Sequence, residues 1–142
     1  VDDVVCVLSE LRRIAAADAL CLISVPDARS ERLFEGFAPP EIFAKPNHVR
    51  IFEQDAFFDA LRRNGFEILS VHTYGFYWTL WWAMLWAMDG RRPGRPRALD
   101  GWAETWRTVL DDPGGRRLQA RLDRLVPKSL AVVARPCRPG AD

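Results

Sequence analysis

Apolar residues return at helical spacing near the start of the chain. Val4, Val7, Leu8, Leu11 and Ile14 fall to one side, and Ser9, Glu10, Arg12 and Arg13 fill the other. Asp2 and Asp3 precede them, where a carboxylate caps a first turn and meets the positive end of the helix dipole. The pattern then changes. Ala19-Leu20-Cys21-Leu22-Ile23-Ser24-Val25 is a continuous apolar run stopped by Pro26, which predicts a strand covered on both faces, as in a parallel sheet. Residues 26–50, with Pro39-Pro40 and Lys45-Pro46-Asn47, read as loop. Phe57, Phe58 and Leu61 give an apolar face to a helix expected over residues 55–64, which Asn64-Gly65 ends with a left-handed stop. Residues 66–72 read as a second strand.

Residues 74–88, YGFYWTLWWAMLWAM, hold four of the chain's six tryptophans and no charge. A basic, proline-punctuated loop follows at 91–97. Helices are expected over 99–111, where Trp102 and Trp106 share a face, and over 115–125, where Leu118, Leu122 and Leu125 share one. Pro127 ends that helix, residues 129–135 read as a third strand, and residues 136–142 as a tail. Helices and strands alternating in this order indicate an α/β layered sheet. Three strands are too few to bury such runs, and the first would present a raw edge. Strands N-terminal to Val1 are therefore expected, and the chain reads as a single partial domain.

Composition narrows the function. With 142 residues and a net charge of +1, the chain has room for one core and no global field to attract nucleic acid or acidic lipid. Three cysteines without a C-x-x-C pair point to a reducing, cytoplasmic setting, with Cys6 and Cys21 as small hydrophobes inside apolar runs. The acidic start is not that of a secretory signal. Two histidines and scattered cysteines offer no metal-ligand spacing, so no metal is expected. The arginines of the 91–97 loop resemble a minor-groove hook only superficially, because Pro93 stands where an arginine should precede Gly94; no nucleic-acid partner is expected.

Three blocks in order carry a resemblance. Asp2-Asp3 leads into Leu8-Ser9-Glu10-Leu11-Arg12-Arg13 and then Ile23-Ser24-Val25-Pro26-Asp27. His48-Val49-Arg50-Ile51-Phe52 precedes a helix and Asn64-Gly65-Phe66-Glu67-Ile68. Pro127-Lys128-Ser129-Leu130-Ala131-Val132-Val133-Ala134-Arg135 comes last. Over residues 1–72 and 127–135 the chain resembles the C-terminal half of the class I S-adenosylmethionine-dependent methyltransferases. It departs from them at Ala16-Ala17-Asp18, where they usually carry Pro-Gly-Gly. The resemblance implies the C-terminal portion of a Rossmann-like sheet, about three strands with flanking helices. Its last strand would be antiparallel and close the sheet, and residues 76–125 would be a helical, Trp-rich insertion. The family holds its cofactor with a Gly-x-Gly turn and an acidic residue, and none of the nine glycines here forms Gly-x-Gly. The implied activity is therefore that of an intact enzyme whose N-terminal half supplies the S-adenosylmethionine site. This chain alone is expected to bind no cofactor and to be inactive.

By the same resemblance His48 faces a small-molecule substrate, as a base or a hydrogen-bond donor; the alternative is that it only packs. Asp27 and Arg50, near strand ends where open sheets place their sites, and Tyr74, Tyr77 and Trp78 beyond the second strand are the candidate substrate contacts. Asp27 as a turn cap, Arg50 in an ion pair and His72 as a buried, hydrogen-bonded histidine are the structural readings beside them. Four tryptophans would bury on the order of 15–25 kcal/mol of apolar surface as an upper bound. Residues 74–88 thus form a core or cap helix over the site, lie in a membrane surface as a peripheral contact, or meet a partner. The last two readings describe a non-catalytic docking module.

Overall fold

The computed structural model describes residues 3–16, 18–47, 50–88 and 96–137. Helix α1 (Val4–Ile14) is capped by Asp3, whose carboxylate accepts the Cys6 N–H at 2.9 Å. Its inward line is Val4, Leu8, Leu11 and Ala15, while Val5, Cys6, Val7 and Ile14 are exposed. The expected stripe is therefore turned, because only the residues on the i, i+4, i+7 line of Val4 meet the sheet.

Among the described residues the sheet has three strands, β1 (Cys21–Pro26), β2 (Phe66–Tyr74) and β3 (Ser129–Pro136), in the order β1-β3-β2. The last strand lies in the middle, antiparallel to both neighbours. β1 is consequently an edge strand, not one covered on both faces: Leu22 is 73 % exposed and Leu20, just before it, 66 %. Its apolar run is covered on one side only, where Cys21, Ile23 and Val25 join the core. β3 is the strand covered on both sides, and Leu130, Ala131, Val132 and Ala134 are all buried. α3 (Gln54–Arg63) packs Phe57 and Leu61 beside Leu8 of α1 on this face, against Phe66, Leu130 and Val132. Each such side chain contributes roughly 1.5–3 kcal/mol by burial. Gly65 ends α3 in the left-handed conformation, φ 78°, as Asn64-Gly65 implies.

Residues 26–50 are not simply loop. α2 (Ala28–Phe34) follows β1 directly and buries Ser30, Glu31 and Phe34, and a 3-10 turn spans Pro40–Phe43. The aromatic segment forms α4 (Phe76–Ala87), and α5 (Arg97–Asp111) and α6 (Pro113–Leu125) make a hairpin beside it. Asp123 of α6 caps α4 from a distance, accepting the Phe76 N–H at 2.7 Å. In the α5–α6 hairpin the backbones meet at Gly115, where a Cβ would stand 1.6 Å from the Val109 carbonyl oxygen. Trp102 and Trp106 of α5 do share a face, and both rings contact Phe76. The leucine face of α6 instead lies open, with Leu118 and Leu125 exposed, and His72 is exposed rather than buried. No helix among the described residues is long and apolar enough to cross a membrane.

Candidate functional site

β1 and β2 both pair antiparallel with β3, so they run parallel to one another and finish at the same end of the sheet, where β3 begins. Lys128 stands at that junction. Its N–H donates to the Tyr74 carbonyl at 2.9 Å, and its own carbonyl accepts the Asp27 N–H at 3.1 Å. The residue is thereby tied to the carboxyl ends of both outer strands. Its side chain is 16 % exposed, and Nζ lies 3.0 Å from Glu31 Oε1, whose side chain is 0 % exposed. Glu31 reaches this place because α2 starts immediately after β1: Asp27 caps the helix, and Glu31 comes one turn later on its inner face. Ser30 closes the junction by donating its hydroxyl to the Asp27 carbonyl at 2.9 Å.

Above this ion pair the walls are aromatic. Lys128 Nζ sits 5.4 Å over the Phe34 ring, and Trp86 meets Phe34 edge-on at 4.8 Å. Trp82 stacks on Trp86 at 5.2 Å, one turn earlier on α4. Between α4, the 3-10 turn and the start of β3 lies a cavity of about 220 Å³, lined by Ile42, Asn47, Trp82, Trp86 and Lys128. Asn47 is held by its own loop: its Nδ2 donates to the Glu41 carbonyl at 3.0 Å. Among the described residues the cavity thus combines indole walls, an apolar side chain and a single ammonium whose position is fixed by a buried carboxylate. Apolar walls with few fixed polar groups are a lining common to small-molecule sites in general.

The side chains expected to meet a substrate are placed as follows. Asp27 is buried; it caps α2 through the Arg29 N–H at 2.9 Å and receives Arg29 Nε and Nη2, each at 2.9 Å. Hydrogen bonding to Asp27 holds the Arg29 guanidinium above its ordinary ionisation range. Arg50 lies over the Phe52 ring at 5.8 Å. The Tyr74 hydroxyl pairs with Ser24 Oγ at 3.1 Å, reaching across β3. Tyr77 stacks on Trp102 at 5.8 Å with the rings 10° apart, and Trp78 packs edge-on to Tyr77 and is 50 % exposed. None of these five lines the cavity, although Asp27 and Tyr74 shape it through their backbones. His48 lies outside the described residues, as do Arg91, Arg92 and Arg95 of the basic loop.

Glu31, Lys128, Trp82 and Trp86, like Ile42 and Asn47, are not among the site residues expected from the sequence. One signal was present for Lys128: it is one of only two lysines among twenty basic residues, set directly before a strand. Glu31 carried none, since its stretch is polar and reads as loop. Comparison with protein-family models, curated proteins and solved structures finds no match to this chain.

Proposed function

We propose that the chain is the C-terminal half of a Rossmann-like class I methyltransferase domain and supplies the pocket for a small-molecule methyl acceptor. The observation that carries this reading is the strand arrangement. The last strand is antiparallel and sits between two strands that run parallel to each other, with the cavity at their carboxyl ends. The resemblance implies an antiparallel closing strand, and open α/β sheets bind ligands beyond the carboxyl ends of parallel strands. Among the described residues the outer edge of β1 meets only the Asp27–Phe52 bridge at its end, and an edge so little paired supports further strands on that side.

None of the nine glycines forms Gly-x-Gly, which speaks against an S-adenosylmethionine cradle in these residues. Among the described residues the left-handed glycines are Gly36, after α2, Gly65, at the end of α3, and Gly75, at the start of α4. A Cβ would meet Arg12 at Gly65 and Lys128 at Gly75, and of the three Gly36 alone borders open space. Cofactor binding in this reading belongs to residues upstream, and the role of this chain is to hold the acceptor. Its own groups do so through the indole walls and the fixed ammonium of Lys128, and by keeping water from the apolar side of the cavity.

The test is calorimetric titration of S-adenosylmethionine into residues 1–142 and into a form extended about 100 residues upstream in its gene, the size of half a domain. Binding by the extended form alone is the expected result. Binding by neither form overturns the methyltransferase reading. The docking alternative draws on Trp78, exposed on α4, and predicts that the chain pellets with liposomes.

A further inference from the structure

We infer that the cavity at the start of β3 binds a molecule of about one aromatic ring that carries an anionic or strongly accepting oxygen, of the aryl carboxylate or phenol class. Size sets the first limit. A space of about 220 Å³ is below the roughly 300–1,000 Å³ of sites for drug-sized ligands. The walls set the second. Trp82 and Trp86 offer indole surfaces stacked 28° from coplanar, and Ile42 adds an aliphatic side chain. Flat π surfaces favour another ring, offset or edge-on.

The polar end decides the charge. Among the described residues Lys128 is the cavity's one cationic side chain and Glu31 is its hydrogen-bond acceptor; an ammonium has three donors and no acceptor. The ligand must therefore present an acceptor to the donors that remain. Indole faces alone would also welcome a cation, but an ammonium fixed at the cavity wall repels one. Because the buried Glu31 offsets that ammonium, the site suits one accepting oxygen rather than a multiply charged phosphate. As the identity of a methyl acceptor this assignment rests on the methyltransferase reading; as a binding site it stands on the cavity alone.

The experiment is titration of residues 1–142 with four probes, followed by calorimetry and by the indole N–H resonances: benzoate, phenol, benzylamine and acetate. Benzoate and phenol are expected to bind at least ten-fold more tightly than benzylamine, which has the ring with the wrong charge, and acetate, which has the oxygen without the ring. The double variant Lys128→Met/Glu31→Gln, which removes both charges of the pair, is expected to weaken benzoate at least ten-fold. Ile42→Trp, in the 3-10 turn, is expected to fill the cavity and abolish binding without touching the ion pair. Benzylamine binding as tightly as benzoate, unchanged benzoate affinity in Ile42→Trp, or no binding of either aromatic oxygen probe overturns the assignment. These titrations use no S-adenosylmethionine, so the pocket and the methyltransferase reading can each fail without the other.

Discussion

Replacing Lys128 by methionine keeps most of the side-chain volume and removes the ammonium that lies 3.0 Å from Glu31. Glu31 is fully buried, and Lys128 is not its whole environment, because the carboxylate has a further interaction. Removing one partner of a buried pair typically costs about 3–5 kcal/mol. With part of the carboxylate's surroundings kept, the lower end of that range is expected, about 3 kcal/mol, a large part of the ~5–15 kcal/mol of a typical domain.

Urea unfolding of Lys128→Met, beside Lys128→Met/Glu31→Gln, measures this loss, and the double variant should show the smaller deficit. A single variant that loses under about 1 kcal/mol, or no more than the double variant, would refute the reasoning.

Two further predictions concern packing. Gly115→Ala puts a Cβ 1.6 Å from the Val109 carbonyl oxygen, so backbone must move; the cost is about 3 kcal/mol, and the urea midpoint should fall by about 1.5 M. Gly101→Ala, inside α5 with open space around it, should instead gain about 0.5–1 kcal/mol, and equal midpoints for the two would exclude this account. Thr79 buries a hydroxyl with no hydrogen-bond partner among the described residues, so Thr79→Val should raise the melting temperature by about 4 °C; a lower melting temperature would mean that the hydroxyl is satisfied.

What could be read from the sequence was what local chemistry decides. α3 with its Asn64-Gly65 stop, α5, α6 before Pro127 and the strands β2 and β3 fall within a few residues of expectation, because period and breakers are local signals. α2 escaped because ARSERLF has little apolar periodicity and buries a serine and a glutamate. Part of what holds that glutamate inside is Lys128, a residue of another element far along the chain. The same holds for β1. An unbroken apolar run is compatible with cover on both faces, and only the pairing shows that a single neighbour and a single face are filled. The cavity was illegible for the same reason, since its lining comes from the 3-10 turn and the loop after it, α4 and the start of β3.

The placing of the last strand in the middle of the sheet bears on how the molecule comes into being. Cys21 pairs with Ala134 and Phe66 with Pro136, so in a chain emerging from the ribosome neither β1 nor β2 meets its β3 partner until residues beyond 129 are out. Contacts so distant in sequence are slow to form. The residue that precedes this strand is Lys128, so assembling the sheet and delivering the ammonium to Glu31 are one event. A product cut short before β3 would lack sheet and pocket together, which makes it unable to occupy the ligand as a half-working copy and leaves its strands open to degradation.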